Sequence, residues 1–172
     1  MQELFALLAE YNTKTNQDML GVLEAQAPEL AARQAGVYHG SILGVVNHLL
    51  VADVLWLRRF AQQFPELAFA PPALPAFKLQ SLKDIVWDSL PAFRPVREGV
   101  DELLRRVVRE LPPGRYPENL EYRNVRGEAQ RKITWRALLH VFNHQTHHRG
   151  QVAALLDQFG VDNDYSNLIW RF

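Results

Sequence analysis

Apolar residues recur at three- and four-residue spacing along four stretches of the chain, separated by clusters of proline, glycine and asparagine, and this pattern predicts an all-α fold. The first stretch runs from Gln2 to Gln26, with Leu4, Leu7, Leu8, Tyr11, Met19, Leu20 and Leu23 as its predicted inner face and Pro28 just beyond its end. The second opens at Ser41, whose hydroxyl can accept from the free N–H groups of a first turn. It carries Ile42, Val45, Val46, Leu49 and Trp56 to Gln63, where Pro65 stops it. Pro71, Pro72 and Pro75 predict an extended connection. Ser81 followed by Asp84 resembles a capping box and predicts a third helix from Ser81 to Glu110, which Pro91 and Pro95 would kink or split. Between Tyr116 and Ile133, Tyr, Val and Ile around Asn124-Val125-Arg126-Gly127 predict a short hairpin or ordered loop. The fourth helix is expected from Thr134, read as its cap, through Phe159, with Gly160 ending it in a left-handed conformation. The aromatic and apolar tail from Val161 to Phe172 is expected to pack back onto the body.

Composition narrows the chemistry. A chain of 172 residues, 48% of them hydrophobic, can build a single core, so one domain over residues 1–172 is expected. Nineteen basic residues balance nineteen acidic ones, which leaves no global field to draw the protein onto nucleic acid or an anionic membrane. The pairs Arg58-Arg59 and Arg105-Arg106, with the arginines from Arg123 to Arg131, read as solvated faces rather than a DNA surface. The N-terminal segment lacks a basic region ahead of an apolar run, and no stretch approaches about 18 uninterrupted apolar residues, so a cytoplasmic protein without membrane spans is expected. With no cysteine there is no disulfide framework, thiolate nucleophile or cysteine zinc site, and any metal must be held by His, Asp, Glu or water.

Four of the six histidines, His140, His144, His147 and His148, lie on the fourth predicted helix. Residues four apart on a helix share a side, so His144 and His148 can share one ion. Their row reads Ala137, Val141, His144, His148, Val152, Leu155, an otherwise apolar stripe expected to face the interior. On the second helix the row Ser41, Val45, His48, Ala52, Leu55 brings a third inward ring. An imidazole buried without a partner costs about 1–3 kcal/mol, so three inward rings call for three separate hydrogen-bond solutions or one shared metal. The competing reading makes His48 a satisfied core histidine and the fourth-helix cluster a solvated face. His144-Gln145-Thr146-His147-His148 also invites comparison with H-E-x-x-H, but Gln145 stands where the general-base Glu of a zinc peptidase belongs, and an amide cannot take up a proton at neutral pH.

The runs Asn47-His48-Leu49-Leu50-Val51-Ala52-Asp53 and His140-Val141-Phe142-Asn143-His144-Gln145-Thr146-His147-His148-Arg149-Gly150-Gln151, with the glycine loop at Arg126-Gly127-Glu128, resemble the signature segments of the DinB/YfiT-like superfamily across essentially the whole chain. The resemblance implies a four-helix bundle in up-down-down-up order, frequently a homodimer. It also implies a divalent metal ion held by His48, His144 and His148, with His140 and His147 outside the set. Nickel and zinc are the leading candidates and iron a third. Relatives with assigned activities imply a metal-dependent enzyme, either a thiol-dependent S-transferase using a low-molecular-weight thiol or a hydrolase, acting on a small molecule. The alternative is a non-catalytic metal-binding or stress-related bundle. Around the set, Asn47 and Asn143 are read either as hydrogen-bond partners of the ligands or as surface amides. Asp53 is read as a structural partner of Arg149. Gly150 is read as a point of close approach, and Trp56, Trp87, Trp135 and Trp170 as core or dimer anchors.

Overall fold

The computed structural model describes residues 1–26, 28–67 and 74–169. Pro71, Pro72 and Trp170, with the end of the tail, lie outside the described residues. Four long helices, α1 (Gln2–Glu24), α3 (Ile42–Gln63), α4 (Leu90–Glu110) and α5 (Thr134–Gln158), form the body, with a short α2 (Pro28–Ala32) that the apolar pattern did not reveal. Strands β1 (Asn119–Arg123) and β2 (Ala129–Ile133) form the antiparallel hairpin expected ahead of the last helix. Its turn is closed by Asn124, whose side-chain oxygen accepts from the N–H groups of Arg126 and Glu128, with Gly127 at φ +81. No helix among the described residues is long and apolar enough to cross a membrane.

Helix directions follow from the contacts. Gln2, at the start of α1, donates to the carbonyls of Val108 and Arg109 at the end of α4, while Glu24 at the other end pairs with Arg94, so the two run antiparallel. Asn47 bonds Trp87 just before α4, and Asp53 pairs with Arg97 within it, so α3 and α4 run the same way. His48 meets His144 and Trp56 meets His140, which makes α5 antiparallel to α3. The order is up-down-down-up, with the long connection of residues 64–89 carrying the chain between the two parallel neighbours.

Local chemistry sets the boundaries. Ser41 caps α3 by accepting from the Gly44 N–H at 3.1 Å. Thr134 is the first residue of α5 and not its cap: its hydroxyl donates to the Glu118 carbonyl, tying the helix to the hairpin. At the other end, the Gly160 N–H donates to the Asp157 carbonyl and the Val161 N–H to that of Leu156, and Gly160 takes φ +74, a Schellman ending.

The third helix begins nine residues later than the Ser81 signal predicts. Asp84 does accept from the N–H groups of Gln80 and Ser81, and Ser81 from that of Lys83, but these bonds close only a turn. The Asn47 side-chain oxygen takes the Val86 and Trp87 N–H groups, each at 2.9 Å, and its amide donates to the Trp87 carbonyl, so this backbone is committed elsewhere. The helix then opens at Leu90, which puts Pro91 in the first turn, where a missing N–H costs little, and it continues through Pro95 unsplit.

The inner face of α1 is rotated from the predicted one. Phe5 and Ala9 are buried with Tyr11, Met19, Leu20 and Leu23, whereas Leu4 is exposed and Leu7 and Leu8 are only partly covered. Buried Asn12, Thr15 and Asn16 account for the rotation, because a row of polar residues on the core side is invisible to an apolar pattern. Trp56, Trp87 and Trp135 pack partly buried against the apolar core, as expected of anchors.

Candidate metal centre

A polar layer crosses the bundle at mid-height and draws on all four long helices. Arg97 donates to Asp53 at 2.7 Å and to Asp101 at 2.8 Å. Asn12 and Asn16 donate to Asp101, while Arg149 donates to Asn12, Asn16 and Gln145. Gln145 in turn donates to Asp53. All seven side chains are buried, and two arginines balance two aspartates. The partner of Asp53 is therefore Arg97, with Arg149 reaching it only through Gln145. Burial drives Arg149 down to about 10, which still leaves it cationic at neutral pH.

This layer orients the histidines. Gln145 follows His144 and Arg149 follows His148, each turned about 100° around α5 from its neighbour. Because both are held in the polar layer, rotation of α5 is fixed and His144 and His148 are presented toward α3. There His48 completes the group: its Nε2 lies 3.3 Å from Nε2 of His144, which lies 3.1 Å from Nε2 of His148. His140 and His147 do not join. His140 is stacked on His144 with ring centroids 5.7 Å apart and meets Trp56 edge-on, and exposed His147 turns its Nε2 to the Gln151 amide.

Tautomers give the cluster its chemistry. His48 Nδ1 lies 3.2 Å from the Leu82 carbonyl, which can only accept, so the proton of the neutral ring is on Nδ1. His148 Nδ1 lies 2.7 Å from the Gln151 side-chain oxygen, with the same consequence. Both Nε2 atoms then turn lone pairs toward His144 Nε2, which can supply one proton at most. At least one pair of lone pairs is left facing without a hydrogen between them, an arrangement that a cation relieves. Two imidazole nitrogens on one ion at about 2.0–2.1 Å would stand roughly 2.9–3.4 Å apart for bond angles between a right angle and the tetrahedral value. The observed separations fall in that range. Burial, helped by neighbouring rings, pushes His144 down to about 3 and His148 to about 4, and burial also lowers His48. All three are neutral at pH 7, the form that ligates a metal.

His39 is the residue that sequence reasoning missed. Its ring stacks on His48 with centroids 4.2 Å apart, and one ring nitrogen each of His39, His48 and His148 lie within 4.8 Å of one another. Its Nδ1 is buried and has no hydrogen-bond partner among the described residues. Burial, with the nearby His48, His148 and Lys83, pushes the ring down to about 4. The loop that carries it passes close over the start of α3: a Cβ at Gly44 would stand 2.0 Å from the His39 carbonyl oxygen. Gly36 and Gly40, both at positive φ, flank the ring and are the only signal in the sequence that could have pointed to it.

Other expectations resolve locally. Asn47 is neither a surface amide nor a direct partner of an imidazole; it holds the segment at residues 86–87, downstream of the Leu82 carbonyl that orients His48. Asn143 is exposed, in keeping with a surface amide. Gly150 is exposed with nothing within 4 Å of the place of a Cβ, so no other helix among the described residues approaches it closely.

The chain is similar to protein DinB of Bacillus subtilis (strain 168), at 24% identity over 160 residues, covering 93% of this chain and 88% of that one. No solved structure matches the chain. The model of the DinB family matches residues 1–170, and the chain belongs to that family.

Proposed function

We propose that His48, His144 and His148 hold one divalent metal ion, nickel or zinc before iron, and that the protein is a metal-dependent enzyme for a small molecule. The observation that carries this reading is the convergence of three neutral Nε2 atoms at 3.1 and 3.3 Å with the Nδ1 protons of His48 and His148 committed elsewhere. Three nitrogen ligands leave positions open, and an ion there supplies Lewis acidity that lowers the pKa of a thiol or water. The chain's own residues orient the ligand rings through Leu82 and Gln151 and fix the helix through Gln145 and Arg149. Because the chain has no cysteine, S-transfer draws on an external low-molecular-weight thiol, whereas hydrolysis needs water alone. Elemental analysis of untagged protein, coupled to a thiol-transfer and ester-hydrolysis screen with and without metal, tests the reading. About one ion per chain with metal-dependent turnover is expected, and a metal content near zero after incubation with nickel or zinc counts against it.

A second reading rests on His39. If it closes the set as a fourth ligand, the ion has protein-only ligands and the bundle is a non-catalytic metal protein. Replacing His39 with Ala separates the two: a weakened metal affinity favours the closed site, an unchanged one the open site. We also propose a homodimer, since Leu4 and Leu139 are about half exposed on α1 and α5. Light scattering at micromolar concentration should give twice the 19.8 kDa chain mass.

A further inference from the structure

One helical turn from His144, on the side away from His148, the hairpin closes against α3 and α5 over a cavity of about 270 Å³ lined by Trp56, Tyr122, Lys132, Arg136, Ala137 and His140. The guanidinium of Arg59 lies 4.5 Å from the centroids of both Trp56 and Tyr122, so it caps the aromatic wall. Arg59 is partly buried, and no carboxylate among the described residues pairs with Arg59, Lys132 or Arg136. This sets them apart from most other arginines here. Arg94, Arg105, Arg106, Arg115 and Arg131 each have a glutamate partner, that of Arg131 being Glu121, its cross-strand neighbour in the hairpin. Arg136 also sits in the first turn of α5, the positive end of a helix of 25 residues.

Lys132 and Arg136 line the cavity without counter-charges and Arg59 lies on its aromatic wall, so the local field favours an anion there, and a planar apolar group is what the wall of Trp56 and Tyr122 can cover. The far wall, His140, is stacked on His144. We propose that this pocket is a substrate subsite that takes the anionic group, a carboxylate or phosphate, of a small molecule whose apolar part lies on Trp56 and Tyr122. The proposal rests on the reading of the histidine cluster as the reactive centre. A molecule anchored here extends along α5 about one turn, roughly 6 Å, to reach His144. Lys132 and Arg136 are then specificity-determining residues, selecting anionic over neutral substrates, with Arg59 adding to the positive field from the aromatic wall.

The test is a titration of the full-length protein with benzoate, phenyl phosphate and benzamide, followed by the Trp56 indole signal in NMR spectra. Benzoate or phenyl phosphate should bind at least tenfold more tightly than benzamide and weaken with added salt, and the tighter of the two identifies the preferred anion. Arg136→Glu, at an exposed position, should weaken anion binding at least tenfold, and Arg59→Gln severalfold. Benzamide binding as well as benzoate, or unchanged affinity in both variants, overturns the subsite. His144→Ala should keep anion binding while losing metal uptake. Metal uptake by the native chain without anion binding overturns the subsite alone. Anion binding without metal uptake leaves the subsite standing and overturns the reading of the histidine cluster.

Discussion

Arg97 donates through one terminal nitrogen to Asp53 at 2.7 Å and through the other to Asp101 at 2.8 Å, and all three side chains are at most 2% exposed. One cation on α4 thus holds a carboxylate of α3 and one of its own helix, and Asp101 takes further bonds from Asn12 and Asn16 on α1. The layer defines how the helices register along their length. A slip of α4 by one turn would take Arg97 from Asp53 and Asp101 from Asn12 and Asn16, leaving the buried Asp53 carboxylate without a cation.

Replacing Arg97 with Met is therefore expected to destabilise the fold by about 3–5 kcal/mol, the range for removing one partner of a buried pair. Asp53→Asn, which keeps the shape and one acceptor, should cost less. Urea denaturation of the metal-free protein measures both. A loss under about 1 kcal/mol for Arg97→Met would mean that the layer is not stabilised by charge.

The bundle was legible in the chain because its helices declare themselves through apolar spacing and their ends through Ser41 and Gly160. His48, His144 and His148 were legible for the same reason: each interrupts an apolar row, so its direction follows from helix geometry. His39 was not, since it sits in a loop without periodicity and reaches the cluster only through a close backbone approach at Gly44. The late start of α4 and the partner of Asp53 were hidden too. Both are decided by residues some forty positions away, Asn47 for the segment at 86–87 and Arg97 for the carboxylate.

Gly44→Ala tests how His39 is held. The added Cβ would meet backbone, the carbonyl of His39, and backbone cannot rotate aside as a flexible side chain does. The loop must lift, with an expected loss of about 1–3 kcal/mol, typical of overpacking, and with the His39 ring displaced from His48. Thermal denaturation and the imidazole NMR signals of His39 report the two effects. An unchanged His39 signal would show that the loop yields without moving the ring.

Metal-free protein should lose stability as pH falls below about 6.5. His39, His144 and His148 have folded values near 4, 3 and 4 against an ordinary 6.5. Between those values the unfolded chain binds protons that the folded one refuses, so stability rises with pH across the window and is lost as pH drops through it. Asp101, which burial pushes up to about 6, acts in the opposite sense between about 4 and 6, as does Asp53, which burial also raises, but these two carboxyls oppose five imidazoles, since burial lowers His48 and His140 too. Melting temperatures in chelator from pH 7 to 4.5 should fall, and fall less steeply in His144→Ala. The same slope in both would remove His144 from the titrating set.

The last expectation joins the metal to the fold. An ion that binds the folded chain and not the unfolded one stabilises it by about 2.7 kcal/mol at a hundredfold excess over its dissociation constant. Nickel or zinc should accordingly raise the melting temperature of the native chain. His144→Ala should abolish most of that increment, because His144 Nε2 is the atom that both other Nε2 atoms face, while leaving helical content intact, since the apolar core and the polar layer are untouched. His147→Ala should keep the increment, its exposed ring being turned to Gln151. His39→Ala divides the remaining ground: an increment like that of the native chain leaves three ligands and an open site, and a reduced one makes His39 the fourth. Calorimetric melting of the four proteins with and without metal makes the comparison. Equal metal-dependent shifts in all four would place the ion elsewhere, and the role proposed for the cluster would go with it.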